Sequence, residues 1–528
     1  MNVPNVLKKQ TVTQAALLIA VISFISKFVG FFREVLVANY FGATGQTDAF
    51  LVAMLIPGSI LGLFASGFST LVIPFYLERK AKSREAARRF VNSALTVWGS
   101  VFIVVSLLVL IFTPELVRLI AYGFKGEQFA LAVTLTRYLV IFGLFSVLAG
   151  IFTGLFQAEK QFLYPTVISF IGNIAIVLCL YFLHRYLGLN SWTVGQILSA
   201  TISFFAMFFV LYWRHGFFHN LSFRQVDWPE IRQFALLLLP LVVSGSLSII
   251  NQIVDKTIAS GLDAGSIAAL NFSARVWNIP LSLLAVPIAT AIFPTFSELA
   301  LNGSARVEYE SRFEKTLGVS FYLMIPSTFF LFFLSEPIVR LFFERGAFNP
   351  QATALTSFVN KMYVIGLFAY AISPIQAKVF YSFKNTTTPL VISAVCVGLN
   401  IILNILLSNI LGAGGIALAT SIVMILNFIL YTLYLKKYMN PFSRRLATET
   451  VKIILSSIPI GIVCYFSLPY FQNTSAASLN GFISLAIKVA VVGIISVVPL
   501  FALSRAFKLE SYSFLKSYAL GLLKRFRR

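Results

Sequence analysis

Apolar runs of roughly 20 residues recur from one end of this chain to the other, about the length a helix needs to cross the hydrocarbon core of a bilayer. Lipid offers the main chain no hydrogen bonds, so a spanning segment must be a helix or a strand of a closed barrel. Barrel strands alternate apolar and polar residues over about ten positions, and these runs do not alternate. The 528 residues are 58% hydrophobic and only 11% charged, with a mean hydropathy of +0.87. The expected fold class is an all-α polytopic membrane protein. Lys8 and Lys9 precede a long apolar run without a small-residue cleavage site, so the first span is expected to be retained.

The spans begin near residues 14, 48, 91, 129, 163, 190, 232, 266, 315, 351, 387, 413, 450 and 481, about 14 transmembrane helices. Cations gather in alternate connections. Arg79, Lys80, Lys82, Arg84, Arg88 and Arg89 follow span two; Arg214, Arg224 and Arg232 follow span six. Arg306, Arg312 and Lys315 follow span eight, and Lys436, Lys437, Arg444 and Arg445 follow span twelve. The connections after spans one, eleven and thirteen carry none. The positive-inside rule then predicts both termini in the cytoplasm, which requires an even number of spans. With Lys524, Arg525, Arg527 and Arg528 at the C-terminus, this pattern assigns the net charge of +22 to cytoplasmic retention, and no nucleic-acid partner is expected. Cys179, Cys396 and Cys464 each sit in an apolar run and read as packing residues.

The chain repeats itself at about 220 residues. Val117-Arg118-Leu119 recurs as Val339-Arg340-Leu341, YLVIFGLF from Tyr138 resembles MYVIGLF from Met362, and Pro74 with Glu78 recurs as Pro294 with Glu298. YPTVIS from Tyr164 likewise matches TPLVIS from Thr388. Six spans separate the copies, so both halves have the same orientation. The expected architecture is two parallel six-helix bundles, 1–222 and 223–445, with a cargo site between them. Residues 446–528 would add two C-terminal helices and a basic tail.

Charge within a span is costly and marks a pathway or pore. Lys27 and Arg33 in span one, Arg137 in span four, Arg275 in span eight and Lys361 in span ten make that charge mostly basic, which suits an anionic cargo. Lys27 lies near the middle of its span and Arg275 about nine residues inside span eight, both too deep for easy snorkelling. Glu34 is adjacent to Arg33, but neighbours on a helix diverge by about 100°, which leaves another partner open. Asp48 starts span two, where it either caps the helix or pairs with a cavity cation.

Asp255 and Lys256 lie in span seven, Asn400 and Asn404 one turn apart on span eleven, and Thr420 on span twelve. Their oxygens could hold a monovalent cation, or the Asn and Thr side chains could simply bond helix to helix. Pro57 with Gly58 and Gly62 in span two, and Pro280 with Pro287 in span eight, predict broken helices in corresponding spans. Gly58 and Gly62 also have the GxxxG spacing of close helix packing.

An enzyme such as a membrane glycosyltransferase would need catalytic carboxylates, yet the only Asp residues are Asp48, Asp227, Asp255 and Asp263, none paired. No GxxxxGK phosphate loop is present, and His184, His215 and His219 make no ligand cluster. A multidrug exporter handling cations would favour an acidic cavity.

FISKFVGFFREVLVANYFGATGQTDAFLVA (Phe24 to Ala53) resembles the start of the MurJ/MviN family, lipid II flippases of the multidrug/oligosaccharidyl-lipid/polysaccharide exporter superfamily. FSARVWNIPLSLLAVPIATAIFPTFSEL (Phe272 to Leu299) resembles the family's eighth span, and the similarity extends over essentially the whole chain. The resemblance implies movement of lipid II, an undecaprenyl-pyrophosphate-linked disaccharide-pentapeptide, to the outer leaflet of the bacterial cytoplasmic membrane by alternating access. Arg33, Asp48 and Arg275 match family positions, Lys27 stands for the usual Arg, and Glu34 for the usual Asp. The cations would meet the pyrophosphate, and spans thirteen and fourteen would groove the polyprenyl tail. Some members bind sodium, and Asp255, Asn400, Asn404 and Thr420 resemble those positions, with Asn404 replacing an acidic ligand. No other cofactor is implied. Leu61 and Ser66 stand where the family commonly has an Arg and a Glu, which keeps another polyprenyl-linked glycan in view as cargo.

Overall fold

The computed structural model describes residues 12–217, 221–301, 306–472, 474, 476 and 478–517. Lys8, Lys9, His219 and the C-terminal basic cluster therefore lie outside the described residues, as does the side chain of His215. Every regular element among the described residues is a helix. The chain divides into two compact units, Met1–Ala264 and Gly265–Arg528.

In the first unit α1 (Val12–Phe41) leads to α2 (Gly45–Ala53) and α3 (Leu61–Lys82), which a π-helical stretch, Leu55–Ile60, joins into one span. There follow α4 (Arg84–Ile111), the short α5 (Thr113–Ile120), α6 (Gly126–Ala158) and α7 (Leu163–Leu187). α8 (Asn190–His215) and α9 (Trp228–Ala259) complete it. The second unit opens with α10 (Ser266–Pro280), a π-helical stretch Leu281–Ala285, and α11 (Val286–Leu301), again one span. Next come α12 (Arg306–Phe333), α13 (Ser335–Phe343), and the pair α14 (Pro350–Val364) and α15 (Leu367–Ser382). α16 (Thr387–Leu411), α17 (Ala413–Leu435), α18 (Arg444–Phe466) and α19 (Leu479–Ala506) end the set.

Among the described residues, eleven helices are long and apolar enough to cross a membrane, and up to thirteen if α9, bent by 46°, and α14 with α15, bent by 44°, each count as one span. α1 stands beside these as a further 30-residue helix. Some starts are set by a local side chain. Ser83, Asp227 and Ser443 accept the amides of Ala86, Glu230 and Leu446, so α4, α9 and α18 begin on side-chain caps. The two π-helical stretches fall where proline interrupts the ladder: Pro57 lies inside the first and Pro280 immediately precedes the second.

Three helices end on a lysine in the left-handed region: Lys160 (φ 57°), Lys384 (φ 57°) and Lys508 (φ 52°). In each case the next amide turns back to a carbonyl one turn earlier, Gln161 to Phe156 at 2.8 Å, Asn385 to Phe380 at 2.9 Å and Leu509 to Ser504 at 3.0 Å. Glycine usually holds this position, because a side chain there costs about 1–2 kcal/mol. Lys160 and Lys384 occupy matching places, each four residues before the paired Tyr164 and Thr388 of the sequence repeat.

α9 packs with the helices that precede it. Phe234 sits fully buried among Phe68, Phe75, Phe90 and Trp98 of α3 and α4, and Arg79 of α3 donates to buried Glu230 at 2.5 Å. The sequence repeat starts its second copy with α9, so packing and repeat divide the chain at different places. In the second unit α18 and α19 pack against each other, and α18 lies on α12. Glu449 of α18 accepts from both the amide and the hydroxyl of Ser511 at 2.8 Å.

The close-packing glycines are not the expected pair. A Cβ on Gly62 would meet nothing within 4 Å, and one on Gly58 would meet chiefly Met54 of its own span. Gly150 of α6 instead lies against the backbone of α3, where an added Cβ would stand 2.4 Å from the Ala65 carbonyl oxygen. Spacing alone shows that two small residues share a face, not that a neighbour lies against it. Gly150→Ala should therefore lower thermal stability by about 1–3 kcal/mol through overpacking, while Gly62→Ala should be neutral or stabilising by up to about 1 kcal/mol. Melting of the two purified variants in detergent checks the contrast.

Candidate substrate and ion sites

The run FGATGQTDAF builds the turn between the first two spans. Gly42 (φ 64°) ends α1, its amide bonding Ala38 at 2.9 Å. The Thr47 hydroxyl donates back to the Gly42 carbonyl at 2.8 Å and that of Thr44 to Phe41 at 2.9 Å. Thr44, not Asp48, is the N-cap of α2, and Asp48 lies buried in that helix's first turn, where the dipole favours an acid. Phe50 stacks on Trp192 with ring centroids 3.6 Å apart, and Tyr40 stacks on His184 at 3.7 Å, fixing the turn against α8 and α7. His184 thus packs against an aromatic ring.

Three of the expected cargo residues lie on α1. Arg33 and Glu34 pair with each other, Nη2 to Oε1 at 2.9 Å, the guanidinium arm folding back to overcome their divergence around the helix. Glu34 is buried and the Arg33 side chain is 18% exposed. Its Nε is buried with no hydrogen-bond acceptor among the described residues. Lys27 is exposed, two turns before Glu34 on the same side of the helix. Arg275 belongs to the second unit, as the tenth residue of α10. It is exposed although Phe272, Ser273, Val276 and Trp277 around it are buried.

The four residues of the candidate sodium site come from both units. Asp255 lies half-buried on α9 in the first unit; Asn400, Asn404 and Thr420 belong to the second. There the Asn404 amide donates to Asn400 Oδ1 at 2.9 Å, Asn400 donates to Thr420 at 3.5 Å, and Thr420 donates to the Ile416 carbonyl at 2.9 Å. The chain runs from α16 to α17, and Asn400 and Asn404 are buried. These three bonds tie α16 to α17 through polar side chains, as Asn and Thr do between membrane helices. Among the described residues no group of three His, Cys, Asp or Glu side chains is gathered for a metal.

Two lysines reach the broken spans, of which the sequence singled out only one. Lys256 of α9 donates to the Leu51 carbonyl at 2.8 Å, one turn before the first π-helical stretch. Lys378 of α15 donates to the Ala289 carbonyl at 2.6 Å, one turn after the second, and its ammonium lies 5.7 Å from the Phe293 ring centroid. An interrupted helix survives in a membrane where neighbours supply hydrogen bonds to its main chain. Lys378 shows only as a lone cation in an apolar run, a signal shared with residues that line a cavity. Lys378→Met should lower thermal stability by about 1.5–3 kcal/mol, the size of a charge-assisted hydrogen bond, and Lys378→Arg should recover part of it. Detergent melting of both variants tests the anchor.

A family model described as lipid II flippase MurJ matches residues 37–508. A probable lipid II flippase MurJ of Rickettsia prowazekii (strain Madrid E) is 26% identical over 472 residues, 88% of this chain and 92% of that protein. One from Rhizobium tropici is 28% identical over 455 residues, 84% of each chain. Among solved structures, a lipid II flippase MurJ in an inward closed conformation matches with a TM-score of 0.77 at 26% identity, covering 93% of this chain and 99% of that one. An inward-facing multidrug resistance transporter of the MATE family matches with a TM-score of 0.64 at 14% identity, covering 80% and 95%, a likeness of fold.

Proposed function

The chain belongs to the MurJ lipid II flippase family, and from that membership and the chemistry of its charged spans we propose that it moves lipid II across the bacterial cytoplasmic membrane. It is a multi-pass membrane transporter and not an enzyme. In this reading the cargo passes from the inner to the outer leaflet by alternating access, with both termini in the cytoplasm. The two repeated bundles, 1–222 and 223–445, rock about a site that the pyrophosphate enters, and residues 446–528 guide the polyprenyl tail.

The observation that carries the reading is the buried Arg33 Nε without an acceptor, on a helix that also exposes Lys27. A guanidinium offers a planar fork of donors suited to phosphate oxygens. Glu34 holds one arm of that fork at 2.9 Å and leaves the Nε edge for an incoming anion. Lys27 supplies further positive charge on the same helix, Arg275 carries an exposed cation in the second unit, and Asp48 is a buried acid of the first.

Another polyprenyl-linked oligosaccharide is the second reading, favoured by one observation. Leu61 is packed in the core, and the Ser66 hydroxyl bonds the Leu63 carbonyl at 2.8 Å, so neither position offers the charge common in the family. The pyrophosphate chemistry would be unchanged and only the glycan would differ. Arg33→Ala and Arg275→Ala should each reduce lipid II translocation in proteoliposomes at least about tenfold, the scale of one lost charged contact, without impairing membrane insertion. Wild-type rates in the double variant would remove the basic-site mechanism. Transport of a different polyprenyl glycan in place of lipid II would select the second reading.

A further inference from the structure

The end of α19 carries a second cationic feature, distinct from the charged residues of α1 and α10. Arg505 closes the helix, Lys508 follows in the left-handed turn, and Lys516 comes from the helical segment 510–517. These three line a hollow of about 310 Å³ together with Ser504, Tyr512 and Ser513, and no carboxylate lines it. Nearby acids are engaged elsewhere: Glu510 with Arg445 at 2.7 Å and Glu449 with Ser511 at 2.8 Å. Among the described residues none of the three cations has an ion-pair partner.

The face leading to this hollow is apolar and open. Ile487, Val491, Ile494, Val498 and Phe501 are 42–69% exposed and follow one another at alternating steps of four and three. That step traces a single stripe along the helix, and the next residue on it is Arg505. An apolar stripe running down a membrane-spanning helix into a cluster of cations has the shape of a phospholipid: acyl chain along the stripe, phosphate at its end. Because α19 is a candidate span, the stripe suits the bilayer interior, and a phosphate tethered to an acyl chain is held beside these cations at a far higher local concentration than a free one. Lys508 shares its left-handed turn with Lys160 and Lys384, and here that turn sets its side chain at the hollow beside Arg505 and Lys516.

We propose that Arg505, Lys508 and Lys516 bind the phosphate of an anionic phospholipid whose acyl chain lies along the exposed stripe of α19. Near a membrane surface each such cation contributes about 1 kcal/mol, so each removal should weaken binding about fivefold. The full-length protein in neutral detergent is titrated with dioctanoyl phosphatidylglycerol or dioctanoyl phosphatidylcholine, and the bound fraction is read by native mass spectrometry. Phosphatidylglycerol should bind at least about tenfold tighter than phosphatidylcholine, and Arg505→Gln with Lys516→Gln should remove that preference. Lys508→Gly keeps the turn and should weaken phosphatidylglycerol binding about fivefold with a melting temperature equal to or above wild type, separating lost binding from lost folding. Equal binding of the two lipids, or unchanged selectivity in the variants, would overturn the site. Displacement of phosphatidylglycerol by millimolar inorganic phosphate would overturn the lipid as occupant.

Discussion

Every main-chain amide and carbonyl in a lipid medium has to be satisfied within the protein, and this constraint organises the molecule. It makes every regular element among the described residues a helix. It also decides how the helices can be interrupted. Pro57 and Pro280 each disturb the ladder of a span, and a π-helical stretch lies at each. A lysine from another span then donates to a carbonyl one turn away, Lys256 to Leu51 and Lys378 to Ala289. Broken spans are therefore anchored, and anchors of this kind hold a weak point of the helix in one arrangement until something competes for the ammonium group.

The same economy governs the charges. An isolated cation in hydrocarbon is expensive, and two different solutions appear. Lys256 and Lys378 each donate to a main-chain oxygen. Arg33 is only half satisfied, with one nitrogen on Glu34 and Nε buried without an acceptor among the described residues. A group left in that state is suited to an anion that arrives and departs. In the proposed role, the Glu34 contact would hold the guanidinium oriented before an anion arrives and so limit the reorganisation on binding.

Much of this was legible in the sequence because hydropathy reports length directly. Helices expected near residues 163, 190, 266, 387 and 413 begin there. The prolines at 57 and 280 marked both π-helical stretches, since a missing amide acts on its own helix. Features that depend on a neighbour were not legible. The Gly58 and Gly62 spacing carried no partner, whereas Gly150 lies against Ala65. The bend within α9 falls one turn after Pro240, at Ser244-Gly245, and that between α14 and α15 falls at Gly366, but how sharply such residues bend a span depends on the helices packed around it. Asn400, Asn404 and Thr420 were recognisable as a group, but the direction of their hydrogen bonds depends on how α16 meets α17. Lys508 needed the backbone, since only its φ of 52° shows that a cation occupies a glycine position.

The account's central claim is that the half-satisfied arginine of α1 and the arginine of α10 serve lipid II transport. The most direct measurement is outer-leaflet exposure of lipid II in cells where this protein is the only flippase and can be depleted. Exposure should fall on depletion while precursor accumulates on the cytoplasmic side, and wild-type protein should restore it where an Arg33→Ala, Arg275→Ala variant does not. Exposure that persists through depletion would contradict the claim.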